Sequence, residues 1–289
     1  MSPSAYFVLG NPRSGTSLFR SMLNAHPATV VPPECGFILW LADTWGTADW
    51  QAAGVLAAFA DAVLASRKFE TWELTKEQLL AELEPVKDYR DAVTRVVQAY
   101  ARSKGRSVQC WGDKNNYYVT QVQALRKLFP DASYLHITRD VRDVACSYRE
   151  LMQRSIDSKY KPVLAVDAEA IATEWVENNT NVIASLADHP GYLRLRYEDL
   201  VADVPGTMRT VFTKLGLPTE GLVGADMHLR SLDEPAEFLQ WKAKLTAPAD
   251  SASVGRYRTD LPAEEIAVIE RVAGPLMVQL GYALSSGQA

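Results

Sequence analysis

The chain has 289 residues, 47% hydrophobic and 22% charged, the composition of a globular protein able to bury a sizeable core. Its net charge of −5 excludes a general attraction to nucleic acid or anionic membrane, so any anion site must be local. Cys35, Cys110 and Cys146 are scattered without a C-x-x-C pair, which suggests neither a disulfide framework nor a zinc site.

The chain opens Met1-Ser2-Pro3-Ser4 and passes straight into Tyr6-Phe7-Val8-Leu9. This predicts a strand over Ala5–Leu9, leaves no room for a signal peptide, and makes a cytoplasmic location the expectation. A helix pattern covers Ser17–Asn24, and between the two lies Gly10-Asn11-Pro12-Arg13-Ser14-Gly15-Thr16-Ser17. A strand, a glycine turn and a helix start aim free backbone N–H groups and the positive end of the helix dipole at one point. The spacing Gly10-x-x-x-x-Gly15 is that of a P-loop, but Thr16 stands where nucleotide triphosphatases carry lysine. Arg13 supplies the positive charge from inside the loop instead. The loop suits phosphate or sulfate and argues against ATP.

A short strand is expected at Thr29–Val31, followed by Pro32-Pro33-Glu34, where the proline pair limits the directions open to the Glu34 carboxylate. From Phe37 to about Leu83 the chain lacks strand signals and reads as helical insertions. Its aromatics (Phe37, Trp40, Trp45, Trp50, Phe59, Phe69, Trp72) read as core contacts before they read as pocket lining. The apolar stretch from Gly54 to Ala65 carries Asp61 and is too short to span a membrane.

Further strands are expected at Ser107–Trp111, Ser133–Ile137 and Tyr192–Leu195. Helical patterns cover Ala92–Ser103, Val119–Phe129, Asp140–Met152, Ala168–Leu186 and Ala263–Leu280. This alternation predicts an α/β fold: a P-loop-like parallel sheet flanked by helices, with helical insertions, as one domain over 1–289. Ligands then belong at the carboxyl ends of the strands. At one such end, Arg139, Asp143 and Ser147 are four apart and share a helical stripe. An arginine fork with a hydroxyl suits a second anion. The structural alternative makes Asp140 an N-cap, Arg139 a surface ion pair and Ser147 filler. Asp140 also imitates a Walker-B magnesium ligand, which the neighbouring Arg139 opposes.

With these two anion sites the sequence resembles the sulfotransferases that use 3′-phosphoadenosine 5′-phosphosulfate (PAPS). The Pro-Arg-Ser-Gly-Thr loop is similar to the phosphosulfate loop of protein-tyrosine sulfotransferases and many bacterial members. Gly112-Asp113-Lys114-Asn115, Leu195-Arg196-Tyr197-Glu198-Asp199-Leu200, Val254-Gly255-Arg256-Tyr257-Arg258 and Leu280-Gly281-Tyr282 follow in the expected order. The resemblance implies that Ser14, Gly15, Thr16 and Ser17 hold the 5′-phosphate and that Arg13 faces the sulfuryl group. It implies that Arg139, Ser147 and Arg256 hold the 3′-phosphate, that Tyr197 lies by the adenine, and that Lys114 approaches the transferred group. Gly255 stands where tyrosine sulfotransferases carry a serine.

Glu34 occupies the place of the base glutamate of the tyrosine sulfotransferases, so the resemblance assigns catalysis to Glu34, Arg13 and Lys114, without a metal. For Lys114 the alternative is an ordinary exposed lysine. Of the four histidines, His26 reads as a cap or packing residue, His136 as a structural strand histidine, and His189 and His228 as loop residues. The implied activity is sulfuryl transfer from PAPS to a hydroxyl of a small-molecule acceptor, with PAP (adenosine 3′,5′-bisphosphate) as product. The alternatives are a P-loop kinase-like phosphotransferase, a protein-tyrosine sulfotransferase, and a non-catalytic nucleotide-binding protein. Neither nucleic acid nor membrane is an expected partner.

Overall fold

The computed structural model describes residues 3–220, 224, 226–231, 233–247, 249 and 251–285. Strand β1 (Ser4–Leu9) leads through the glycine loop into α1 (Thr16–Asn24) and the two-residue β2 (Thr29–Val30). The insertion that follows holds α2 (Phe37–Trp40), α3 (Ala42–Trp45), α4 (Val55–Leu64), α5 (Lys76–Leu83) and α6 (Tyr89–Ser103). Then come β3 (Cys110–Lys114), α7 (Val122–Leu128), β4 (Ser133–Thr138), α8 (Val141–Gln153), α9 (Ala168–Leu186) and β5 (Tyr192–Arg196). The chain closes with α10 (Tyr197–Ala202), α11 (Val204–Lys214), α12 (Ala236–Leu239), α13 (Tyr257–Asp260) and α14 (Ala263–Gln279).

The five strands form one parallel sheet in the order β2-β3-β1-β4-β5. Both faces are buried, so alternate residues of β1 enter different cores. Phe7 and Leu9 pack with Trp111, Tyr134 and the insertion helices, while Tyr6 and Val8 pack with Phe19, Leu135, Ile137 and α11. A third cluster joins α8, α9 and α14 through Val144, Trp175 and Met277. Among the described residues no helix is long and apolar enough to cross a membrane.

The expected strands and helices are present; α6 starts three residues early, at Tyr89, and two elements differ more. Strand β3 begins at Cys110 and runs to Lys114, three residues later than the sequence pattern suggests. Gly112-Asp113-Lys114 reads as a loop by residue type, yet each of these residues is accommodated inside the sheet. Gly112 pairs with Tyr6 across β1, and a Cβ on it would come within 2.2 Å of the Tyr6 ring. Asp113 receives the Tyr118 hydroxyl and Lys114 pairs with Glu34. The expected helix over Val119–Phe129 is split into a 3-10 turn (Asn116–Thr120) and α7.

The aromatics of the insertion are mainly core. Phe37, Phe59, Phe69 and Trp72 are buried, and Trp50, Phe59 and Tyr89 pack edge-on or stacked. Trp40 is the exposed member of that set, lying beside Tyr117. The indole N–H of Trp72 donates to the Pro33 carbonyl at 2.9 Å, so this core also fixes the segment that carries Glu34.

Candidate active site

The loop after β1 is held in shape from outside. Asn11 Nδ2 donates to the Tyr148 hydroxyl at 3.0 Å, and Asn178 Nδ2 donates to Asn11 Oδ1 at 2.7 Å. Arg13 and Gly15 adopt left-handed backbone conformations, with φ of 65° and 93°. Gly15 is required twice over, because a Cβ there would also lie 2.4 Å from the Tyr197 ring. Gly15 is the N-cap of α1; no side chain caps that first turn and no acidic residue lies within it. Its N–H groups and the helix dipole therefore remain directed at the loop's concave face.

Two arginines converge on this loop. Arg13 Nε donates to Ser147 Oγ at 3.0 Å, and its Nη1 donates to the Trp241 carbonyl at 3.2 Å. Arg139 Nη1 donates to the Arg13 carbonyl at 3.1 Å, and its Nη2 donates to the Ser253 carbonyl at 2.7 Å. Arg139 Nε is buried without a hydrogen-bond partner, and the guanidinium carbon sits 4.5 Å from the centre of the Tyr197 ring. The Tyr197 hydroxyl shares a 2.9 Å hydrogen bond with Ser253 Oγ. Burial, together with the neighbouring Arg139 charge, lowers the Arg13 guanidinium to about 10. Buried Arg139 and half-buried Arg13, this close to an uncapped helix start, form an arrangement that can receive a highly charged anion.

The alternative reading of α8 holds for Asp140 alone. It caps the helix by accepting from the Arg142 N–H at 2.9 Å, and both of its oxygens are engaged by the Arg142 guanidinium. Arg139 and Ser147 instead face the loop. Arg256 reaches the same cavity but is engaged by carboxylates, donating to Asp260 at 2.7 Å and to Glu150 at 2.9 Å. Gly255 has φ +74°, and an added Cβ would meet Arg258 Nη1 at 2.2 Å, so a serine here would be strained.

On the other side of the loop lies a buried charge cluster around Glu34. Its segment is anchored by Arg20 Nε, which donates to the Pro32 carbonyl at 2.9 Å, and by the Trp72–Pro33 bond. Lys114 pairs with Glu34 Oε1 and donates to Ser17 Oγ at 3.2 Å. Lys68 Nζ lies 3.1 Å from Glu34 Oε2, and Lys242 Nζ lies 3.8 Å from Oε1. Burial pushes the Glu34 carboxyl up, but Lys114, Lys242 and Lys68 together hold it well below the usual carboxylate range. Lys114 is only 1% exposed, which excludes the ordinary surface lysine; burial pulls its ammonium down to about 8.

A cavity of about 310 Å³ joins the two halves. Arg13, Gly15, Thr16, Ser17, Glu34, Arg139, Ser147, Tyr197 and Arg256 line it. Ser14 and Lys114 lie behind the wall, and Ser14 Oγ is buried without a partner. The cavity also takes residues the sequence pattern does not announce: Lys68, Asn116, Trp241 and Lys242. Asn116 accepts from the Thr16 hydroxyl at 3.2 Å. Lys68 and Lys242 come from the insertion and from a late loop, where no local periodicity marks them. Tyr160, Pro162 and Leu164 add an apolar wall from the stretch after α8.

None of the histidines belongs to this cavity. His136 bonds Tyr192 and Asn179, and burial pulls it down to about 3, which keeps it neutral. His26 binds the Pro218 carbonyl and accepts from the Ala28 N–H, a packing role. His189 and His228 bond the carbonyls of Pro130 and Ala247.

A parallel sheet with a glycine loop feeding an uncapped helix, and arginines converging on it, defines a P-loop-like α/β protein. A profile of the Sulfotransferase family matches residues 5–221, and the chain belongs to that family. Among curated relatives, the Nodulation protein NoeE of Sinorhizobium fredii (strain NBRC 101917 / NGR234) is 24% identical over 296 residues. That match spans 97% of this chain and 66% of NoeE. Protein-tyrosine sulfotransferase A of Caenorhabditis elegans is 23% identical over 297 residues, 96% of this chain and 66% of that protein. The chain thus spans just under two thirds of the length of each. The fold is similar to a sulfotransferase domain from the curacin biosynthetic pathway, with TM-score 0.61, 19% identity, and coverage of 98% of this chain and 99% of that one. It is also similar to the sulfotransferase domain of the Synechococcus PCC 7002 olefin synthase, with TM-score 0.59, 22% identity and 95% coverage of both chains.

Proposed function

We propose that this chain, as one domain over 1–289, transfers a sulfuryl group from PAPS to a hydroxyl of a small-molecule acceptor. The observation that carries the reading is a single cavity with two poles. One pole is the Arg13–Ser147–Arg139 cluster at the glycine loop; the other is Glu34 paired with Lys114. The family to which the chain belongs and the unpartnered Arg139 Nε support PAPS as donor. In this reading the first-turn amides of α1 receive the 5′-phosphate, and Arg139, Ser147 and Arg256 receive the 3′-phosphate. Arg13, bonded to both Ser147 and Arg139, links the two anion sites.

The acceptor oxygen attacks sulfur in line, and the bond from sulfur to the 5′-phosphate oxygen breaks. Glu34 takes the hydroxyl proton as general base. Lys114 and Arg13 offset the charge gathering on the leaving phosphate oxygen, in a site where burial strengthens that interaction. The buried Glu34–Lys114 pair supports catalysis over mere binding, since a donor-binding protein needs no base. The kinase-like reading is disfavoured by Thr16 and by Asp140, whose two oxygens are engaged by Arg142.

Calorimetric titration with PAP, against ATP–Mg²⁺ and 5′-AMP, tests the donor assignment. Micromolar or tighter PAP binding with both comparators much weaker is expected. Preference for ATP–Mg²⁺, or indifference to the 3′-phosphate, would overturn the reading.

A further inference from the structure

Glu34 is ill-suited to take a proton in the state described above, because both of its oxygens are engaged by ammonium groups. Oε1 faces Lys114 and, at 3.8 Å, Lys242. Oε2 has a single ammonium partner, Lys68, at 3.1 Å. The three lysines are held differently. Lys114 is buried at the end of β3 and tied to Ser17. Lys242 is buried and tied to Glu234, which Arg20 also holds at 3.1 Å. Lys68 lines the open cavity, keeps 17% side-chain exposure and has Glu34 as its only carboxylate partner among the described residues. Of the three, it is the one free to swing.

Two further observations mark Lys68. Its φ is +72°, and the other strained non-glycine residue of the cavity wall is Arg13 in the anion loop. Such strain in a bulky residue collects at ligand sites. Its ammonium also lies 5.7 Å from the Tyr160 ring centre and 5.2 Å from that of Phe238, an aromatic cradle that receives a cation in more than one position. Around this cradle the other charged groups are Arg67 and Lys159 over Tyr160, Lys242 over Phe238, and Glu70 bonded to the Tyr160 hydroxyl and to Lys159. With Glu34 and Glu234, the partners of Lys68 and Lys242, four cations meet three carboxylates here, which leaves this end of the cavity positive by one charge.

We propose that Lys68 is a latch on Glu34, opened by an acceptor that carries a carboxylate near the hydroxyl to be sulfated. The acceptor carboxylate draws the Lys68 ammonium off Oε2, and the acceptor hydroxyl takes its place on that oxygen. Removal of one of three cations from Glu34 raises its proton affinity at the moment a proton must be accepted. The acceptor thereby assembles its own base, and water meets a latched one. The inference rests on Glu34 being the base and adds to that reading the class of acceptor and the residue that selects it.

Acceptor-free hydrolysis of PAPS by the full chain isolates the latch, because water then replaces the acceptor: a water oxygen bonds to sulfur, PAP leaves, and the proton goes to Glu34. PAP release by Lys68→Met is expected to exceed wild type about tenfold, with the acid limb of its pH profile moved to higher pH. Addition of Glu34→Gln to that variant is expected to abolish the gain. PAP titration confirms an intact donor site in each variant, and Lys68→Arg, which keeps the ion pair, is expected to restore the slow hydrolysis that Lys68→Met loses. Unchanged or slower hydrolysis in Lys68→Met overturns the latch while leaving the base assignment standing. If Glu34→Gln transfers the sulfuryl group to an acceptor hydroxyl as fast as wild type, the base assignment itself falls.

Binding of 4-hydroxyphenylacetate and of its amide to the PAP-loaded protein tests the acceptor class. The acid is expected to bind at least about tenfold more tightly, and Lys68→Met to erase that preference. Equal binding of the two, or binding of neither, overturns the carboxylate assignment.

Discussion

Arg13 and Ser147, separated by 134 positions, meet through a 3.0 Å hydrogen bond from Nε to Oγ. The contact welds the glycine loop after β1 to the second turn of α8, so the two proposed anion sites are one piece of structure. Loss of the Ser147 hydroxyl removes a partner from Arg13 and, in the proposed function, a donor to the 3′-phosphate. Ser147→Ala is therefore expected to weaken PAP binding about tenfold, in line with ~1–1.5 kcal/mol for such a bond. Affinity for 5′-AMP should change far less. Titration of the variant with both nucleotides checks this, and an equal loss for the two would assign Ser147 to the loop's shape alone.

Glu34→Gln preserves shape and removes the charge that three lysines surround. General-base removal typically costs on the order of 10²–10⁴ in rate. Transfer from PAPS is expected to fall by at least about a hundredfold, with PAP affinity equal to or above that of wild type. Single-turnover transfer with saturating donor is the measurement, and full activity would remove Glu34 from the mechanism.

Gly15→Ala combines a left-handed backbone with a collision against Tyr197. A stability loss of about 1–3 kcal/mol is expected. Because the Tyr197 ring also supports Arg139, PAP affinity should fall with it. Tyr197→Leu in the same chain is expected to recover part of the stability but not the affinity. Urea unfolding of the single and double variants decides; strict additivity would show that the ring is not the obstacle.

His136 provides a prediction for acid stability. Its folded value, pulled down to about 3 by burial, lies below its unfolded value of about 6.5, so the unfolded chain binds the extra proton in between. Stability therefore falls as pH drops from about 6.5 toward 3, by up to about 1.4 kcal/mol per pH unit from this group. His136→Asn should be less stable at pH 7 yet show a shallower decline between pH 6.5 and 5. Urea titrations at these pH values provide the slopes, and parallel slopes for the two proteins would count against the buried neutral histidine.

What the sequence discloses of the site is what lies close together along the chain. The glycine loop is a consecutive strand, turn and helix start, and Arg139 and Ser147 sit at helical spacing, so both proposed anion sites are legible before folding. Lys68, Lys242 and Glu234 are not, because they reach Glu34 and Lys114 from distant segments with no periodicity to mark them. The end of β3 misleads for a different reason. Aspartate and lysine are poor strand residues by type, and only their buried partners, Tyr118 and Glu34, make the assignment possible. His136 and Trp72 behave as residue type and pattern suggest, one a neutral strand histidine and the other core.

The pairing of β1 with β3 sets Phe7 against Asp113 and Val8 against Lys114. Neighbouring strand residues point to opposite faces, so this alignment decides which sign of charge reaches Glu34. A slip by one position would exchange the two. An acid would then stand beside Glu34, and an ammonium would be driven among Phe7, Tyr118 and Phe129 with no acid to meet it. Both errors are costly, and they occur together. The polarity of the centre is thus proofread by the assembly of the sheet: a misaligned chain is penalised in its core before it could ever hold a donor.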